Sequence, residues 1–258
     1  MNKLVFITGA SSGLGQSLAQ RYYQAGYALA LVARRTAEIE TWASALSLDP
    51  KRYTIYGADV AVPDSIIAAA QACLARQGVP DVVIANAGIS IGMDTAERAD
   101  LFVMAQTFAT NNLGMAATFH PFLATMLQRR SGVLVGLASV AAIRGLPGHG
   151  AYCASKAAVI GYCESLRGEL RGSGLQVTTI CPGYIDTPLT RKNRYGMPFL
   201  MSPELFSEKA FRAIEARASY RVIPWQMGLV AKLLRLLPNW LFDRLLSGRP
   251  RKNRQTQA

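Results

Sequence analysis

Residues 3–15 read K-L-V-F-I-T-G-A-S-S-G-L-G, and this stretch decides how the chain folds. Lys3 to Thr8 is an apolar run, Gly9 to Gly15 is a turn of glycine and serine, and apolar residues recur at helical spacing from Leu14 to Ala25. Strand, loop and helix follow in that order. Gly9, Gly13 and Gly15 let backbone approach a pyrophosphate, whose charge meets amide groups and the positive end of the helix dipole. Gly9, Ser11, Ser12, Gly13, Leu14 and Gly15 are therefore candidate cofactor contacts. The four-residue apolar run before the glycines is too short for a signal sequence and reads as the first strand.

Outward from that loop the pattern repeats. Tyr27 to Ala33, Arg52 to Ala58, Asp81 to Ala85, the run G-V-L-V-G-L ending near Ser139, Leu175 to Cys181 and Tyr220 to Pro224 read as further strands. Helical patterns separate them, so the expected fold is α/β, a doubly wound sheet in one domain. The second strand ends in Arg34-Arg35, and no carboxylate occurs until Glu38. An acidic residue there would accept from ribose hydroxyls and repel a 2′-phosphate, whereas guanidinium groups pair with phosphate, so the cofactor expected is NADP(H). Between Ser139 and Lys156 the chain carries a hydroxyl, a phenol and an ammonium. Tyr152 and Lys156 are four apart on a helical pattern and share a face. A positive charge beside the phenol is expected to lower its pKa toward the working pH and make Tyr152 a general acid or base.

With T-G-A-S-S-G-L-G at 8–15, N-A-G at 86–88, N-N-L-G at 111–114, Y-C-A-S-K at 152–156 and P-G-Y-I-D-T at 182–187, the chain resembles the short-chain dehydrogenase/reductase family from about Lys3 to Pro188. The glycine spacing G-x-x-x-G-x-G is that family's. The resemblance implies a mostly parallel seven-stranded sheet in the order 3-2-1-4-5-6-7 and an oxidoreductase interconverting a carbonyl and an alcohol. It implies Asn111, Ser139, Tyr152 and Lys156 as the catalytic set, with Asn111 holding a water that connects the lysine to solvent. It places Asp59 and Val60 near the adenine, Asn86, Ala87 and Gly88 behind the nicotinamide ribose, and Pro182, Gly183, Ile185 and Thr187 against the nicotinamide. Tyr152 and Lys156 also contact the cofactor.

Residues 189–204 combine basic residues, apolar residues and prolines, and read as a substrate lid with Met197, Phe199, Leu200 and Met201 on its inner face. From Trp225 to Leu246 the polar residues Lys232, Arg235, Asn239 and Asp243 form one narrow stripe on an otherwise apolar helical segment split by Pro238. Such a face is covered by the protein's own body, by a second subunit in a homo-oligomer, or by an anionic membrane surface. The tail from residue 248, with Arg249, Arg251, Lys252 and Arg254, reads as disordered and attractive to anionic lipid. The substrate expected is an apolar, lipid-like carbonyl compound or alcohol.

Composition narrows the alternatives. The net charge of +12 is not interleaved with aromatics or any recognition motif, which argues against nucleic acid. Cys73, Cys153, Cys163 and Cys181 lack metal-ligand spacing, as do His120 and His149, so no metal site is expected and the compartment is reducing, cytoplasmic or at a membrane periphery. No stretch is apolar enough to span a bilayer.

Overall fold

Seven short apolar runs become one sheet: β1 (Leu4–Thr8), β2 (Ala28–Ala33), β3 (Tyr53–Gly57), β4 (Val82–Ala85), β5 (Gly132–Leu137), β6 (Leu175–Pro182) and β7 (Tyr220–Ile223). The computed structural model describes residues 3–191, 193, 196–248, 252 and 254. The strands lie in the order β3-β2-β1-β4-β5-β6-β7, and every neighbouring pair is parallel. Parallel strands need a crossover, so a helix follows almost every one. These are α1 (Gly13–Gln24), α2 (Thr36–Ala45), α3 (Pro63–Arg76), α4 (Asp100–Phe108), α5 (Gly114–Arg129), α6 (Gly150–Glu169), α7 (Pro203–Glu215), α8 (Trp225–Leu236) and α9 (Asn239–Leu246).

The inner strands are buried on both faces, which is why they are mostly apolar rather than alternating, whereas the edge strands β3 and β7 are more exposed. Successive side chains still point to opposite sides. Leu4, Phe6, Val83 and Leu134 join one core with Ile66 of α3, Phe119 and Phe122 of α5 and Val159 of α6. Val5, Ile7, Ile84 and Val135 join the other with Leu18 and Tyr22 of α1, Ile39 of α2 and Phe206 of α7. The strand order reverses between β1 and β4. Their following loops diverge there and open a crevice at the carboxyl edge of the sheet, where ligands of such folds bind.

α4 begins only at Asp100, because Asp94 starts a turn in which its carboxylate accepts from the Ala96 amide. A π-helical turn over Ala109–Leu113 joins α4 to α5. One expectation changes at this level. The tail is tied down at its two described residues. Lys252 donates to the Ser90 hydroxyl at 2.9 Å, and Arg254 forks onto Asp100 at 2.7 and 3.3 Å, pairs with Glu97 at 3.7 Å, and bridges Gly92. A buried carboxylate, Asp100, supplies the anchor that a polar tail lacks on its own. Arg249 and Arg251 lie outside the described residues.

Candidate active site

The loop after β1 is shaped by glycine. Gly9 (φ 69°) and Gly13 (φ 56°) occupy the left-handed region, and a methyl carbon added at Gly15 would stand 2.1 Å from the Gly9 carbonyl oxygen. Ser12 precedes α1 without capping it through its side chain, so the first amides of that helix face the cleft. Thr8 and Asn86 tie the start of the loop to the end of β4. The Thr8 hydroxyl accepts from the amides of Asn86 and Ala87, both at 3.1 Å, and the Asn86 side-chain amide donates to the carbonyls of Thr8 at 2.9 Å and Gly9 at 3.3 Å.

The resulting cleft has a volume of about 480 Å³, and of the residues expected in the site all but Gly15 and Asn111 line it. Those two work from behind: Gly15 permits the close approach of helix and loop, and Asn111 sits behind Gly88. At the cleft's outer end, Arg35 donates to the Ser11 hydroxyl at 3.3 Å and pairs with Glu38 at 3.2 Å, while Arg34 lies 3.6 Å from Asp59. Both guanidinium groups are largely exposed, so these pairs add little stability and leave the charge accessible. Asp59 also closes its own turn by accepting from the Ala61 amide at 2.9 Å.

At the inner end, α6 presents Tyr152 and Lys156 to Ser139, which follows β5 and whose hydroxyl accepts from the Ala141 amide at 3.2 Å. Lys156 is buried, and its ammonium donates to the Leu137 carbonyl at 2.7 Å and lies 5.9 Å from the centre of the Tyr152 ring. A side chain at Gly88 would press on that ammonium at 3.3 Å and on Asn111 at 3.2 Å. The Asn111 amide donates to the Ile89 carbonyl at 3.0 Å and to the Ser155 hydroxyl at 2.9 Å, while its oxygen accepts from the Ile89 amide at 2.8 Å. Asn112 donates to the Ser155 carbonyl at 2.8 Å. The paired asparagines thus clamp the first turns of α6 to the π-helical turn. Thr8, Asn112 and Ser155 had no role assigned from the sequence, although each sits inside or beside a quoted motif.

The electrostatic balance differs from the expectation for Tyr152. Burial raises its phenol to about 12, the hydrogen bond with Ser139 lowers it only partly, and the ammonium does not dominate. The reason is that Lys156 bonds to a carbonyl and is itself desolvated, which brings it down to about 8 against small upward pulls from Cys181 and Cys163. The phenol is therefore protonated at neutral pH and the lysine mostly charged.

A second cavity of about 250 Å³ opens beside the first, and the two share Ser139, Tyr152, Gly183, Leu189 and Thr190. Its wall is formed by Met227, Val230, Ala231 and Leu234 of α8 and by Phe242 and Leu246 of α9. Arg144 pins this wall. Its guanidinium donates to the carbonyls of Leu234 and Leu237 and to Asn239, and stacks on Phe242 at 3.7 Å. Asn193, Gly196 and Pro198 of the lid segment complete the lining. The apolar lid face is not as expected: Phe199 and Leu200 point to solvent, because Met201 is fixed beside Ile185, its amide donating to the Tyr184 carbonyl at 3.0 Å, and turns the preceding residues outward. Among the described residues no three His, Cys, Asp or Glu side chains are grouped to hold a metal ion.

A profile of the short chain dehydrogenase family matches residues 3–197. The chain belongs to the short-chain dehydrogenase family of oxidoreductases. An uncharacterized oxidoreductase of Myxococcus xanthus is 36% identical over 246 residues, covering 93% of this chain and 95% of that one. An alcohol dehydrogenase of Thermococcus sibiricus, solved with 5-hydroxy-NADP, is 26% identical with a TM-score of 0.76 over 86% of this chain and 96% of that one. A 3-ketoacyl-(acyl-carrier-protein) reductase of Brucella melitensis, solved with NADH, is 25% identical with a TM-score of 0.77 over 86% and 96%. The profile match ends inside the lid segment, while the Myxococcus relative matches over 93% of this chain.

Proposed function

We propose that this short-chain dehydrogenase reduces an apolar carbonyl compound with NADPH, using Tyr152 as the general acid. The observation that carries this reading is the meeting of Ser139, Tyr152 and Lys156 where the two cavities join. A nicotinamide cofactor bound in the larger cleft supplies hydride for the carbonyl carbon. The glycine loop and the open first turn of α1 hold its pyrophosphate, and Arg34 and Arg35 hold its 2′-phosphate. Lys156 holds the nicotinamide ribose, and Ile185 and Thr187 orient the ring. Tyr152 donates its phenolic proton to the carbonyl oxygen, which Ser139 polarises by a hydrogen bond, while Lys156 stabilises the phenolate left behind. Asn111 holds α6 and the π-helical turn in register along the route that returns a proton to Tyr152. Burial keeps the phenol protonated at neutral pH, the form from which it can donate.

A panel of ketones and aldehydes followed by NADPH absorbance, with NADH in parallel, tests the reading. Turnover of apolar carbonyls with NADPH preferred supports it. Cofactor binding without turnover of any carbonyl would instead identify a dinucleotide-sensing protein, and NADH preference would remove the role given to the arginines.

A second reading concerns where the enzyme works. On α8 and α9, Trp225, Leu229, Leu233, Leu236 and Trp240 are exposed, with Trp225 and Trp240 at 68% and Leu236 at 80%, and Lys232, Arg235 and Arg244 stand among them. Exposed tryptophan and leucine interleaved with cations fit an anionic lipid surface better than a subunit interface. No helix among the described residues is long and apolar enough to cross a membrane. Cosedimentation with anionic vesicles at low salt, lost at high salt, supports this placement; protein left in the supernatant, together with a dimeric mass by light scattering, assigns the face to a second subunit.

A further inference from the structure

Two consecutive asparagines reach the same serine from the π-helical turn over Ala109–Leu113. The Asn111 side-chain amide donates to the Ser155 hydroxyl at 2.9 Å, and the Asn112 side-chain amide donates to the Ser155 carbonyl at 2.8 Å. Consecutive residues of a regular α-helix do not face the same way, so the double contact needs the local departure found there. The turn has a firm backing. A methyl carbon added at Gly114, which follows it, would stand 2.5 Å from the Val60 carbonyl oxygen, so α5 begins in direct contact with the loop after β3.

What the two contacts hold differs. The Ser155 hydroxyl donates its own proton to the Tyr152 carbonyl at 2.8 Å, so Asn111 acts on the backbone of the tyrosine. The Ser155 carbonyl belongs to the peptide that joins Ser155 to Lys156, so Asn112 acts on the backbone of the lysine. Asn111 has both polar atoms of its side chain paired, whereas the side-chain oxygen of Asn112 is buried without a partner among the described residues. A buried unpaired oxygen costs stability, so the fold alone does not favour this side chain. Turning the amide round brings no relief, because the Ser155 carbonyl can only accept.

The ammonium at the far end of the lysine has little latitude. It is buried, it donates to the Leu137 carbonyl at 2.7 Å, and a carbon added at Gly88 would come within 3.3 Å of it. We infer that Asn112 is a positioning residue: it fixes the Ser155–Lys156 peptide so that the ammonium meets both Leu137 and the cofactor ribose, while Asn111 and Ser155 fix Tyr152 on the same helical turn. This rests on the carbonyl-reductase reading given above.

The test compares the full chain with Asn112→Leu, which keeps the approximate shape but removes the donor and the unpaired oxygen, and with Asn112→Gln, which keeps a donor on a longer arm. Each is followed with NADPH and a carbonyl substrate from the panel above. Asn112→Leu is expected to lower kcat about tenfold, with the NADPH dissociation constant within about threefold because the phosphates are held elsewhere. Its melting temperature should not fall, since an unsatisfied acceptor leaves with the donor. Asn112→Gln should recover most of the lost rate. A kcat within about twofold of the parent in Asn112→Leu overturns the inference. So does a loss shared equally by both variants and accompanied by a lower melting temperature, which is the mark of a packing role.

NMR titration of isotope-labelled lysine Cε, with the signal assigned by Lys156→Arg, reads the same position without turnover. The titratable groups facing that ammonium are Tyr152 and Cys163 on α6 and Cys181 on β6. Its bond to Leu137 favours the charged form, so a lysine that makes the bond less well titrates lower. A midpoint that falls in Asn112→Leu upholds the inference even if no carbonyl is reduced, in which case the reductase reading alone fails. An unmoved or raised midpoint overturns it.

Discussion

The two cavities share a floor and are built in opposite ways. The larger cleft is made mostly of backbone and small residues from short segments at the carboxyl ends of β1, β2, β3, β4 and β6. The smaller one is made of side chains from segments far apart in the chain: Ser90, Arg144, the lid, α8, α9 and Lys252. A dinucleotide presents the same phosphates and ribose in any setting, and amides at a helix start recognise them at a fixed geometry. An apolar substrate offers shape alone, so its cavity depends on how helices pack.

The largest effect that tests this contrast is at the shared floor. Tyr152→Phe keeps the ring and removes the transferable proton, so turnover should fall roughly 10²–10⁴-fold while the cofactor dissociation constant stays within about threefold. Turnover within tenfold of the parent takes the phenol out of the chemistry. Next comes the cleft's rigidity. Gly15→Ala puts a carbon 2.1 Å from the Gly9 carbonyl, where nothing flexible can yield, and should weaken cofactor binding at least about tenfold and lower the melting temperature. Gly196→Ala in the second cavity has open space around it and should leave both measurements unchanged. Equal effects at the two glycines would erase the contrast.

Arg144→Ala sharpens it from the other side. Losing three hydrogen bonds and a stacked cation should destabilise the fold by about 2–4 kcal/mol in denaturant titrations and raise KM for the carbonyl substrate, with cofactor affinity unaffected. Replacing Arg34 and Arg35 by Asp and Ala should weaken NADPH at least about tenfold and move preference toward NADH, measured by dissociation constants for both.

The smallest effect is a pH limb. The Lys156 ammonium is present below about pH 8 and lost above it, so kcat/KM for reduction should be level below that point and fall as pH rises. Its contribution to stability runs the other way: between about 8 and 10.5 the unfolded chain binds the proton that the folded one has released, so stability from this group increases with pH. An alkaline loss of activity accompanied by a falling melting temperature would point to unfolding instead.

The alternation of strands and helices and the glycine loop were legible because each depends on local spacing, whereas the sheet order, and Ser139, Tyr152 and Lys156 as one set, came with the family resemblance; the structure has that order and brings the three residues to one cleft. Alternation between apolar runs and helical patterns specifies parallel strands, and glycine at 9, 13 and 15 is required by backbone geometry that no other residue meets as cheaply. What burial does to Tyr152 and Lys156 was not legible, since a pKa depends on everything packed around the group rather than on its nearest charge. The same holds for the tail: a run of basic residues looks unpackable until Asp100, about 150 positions earlier in the chain, is seen to be buried opposite Arg254. By itself the sequence determined the fold and the oxidoreductase family, through short-range periodicity, backbone demands and the motifs they carry. Only the tertiary structure decided the second cavity, because its wall comes from segments that meet by packing and carry no signal of one another in their local order.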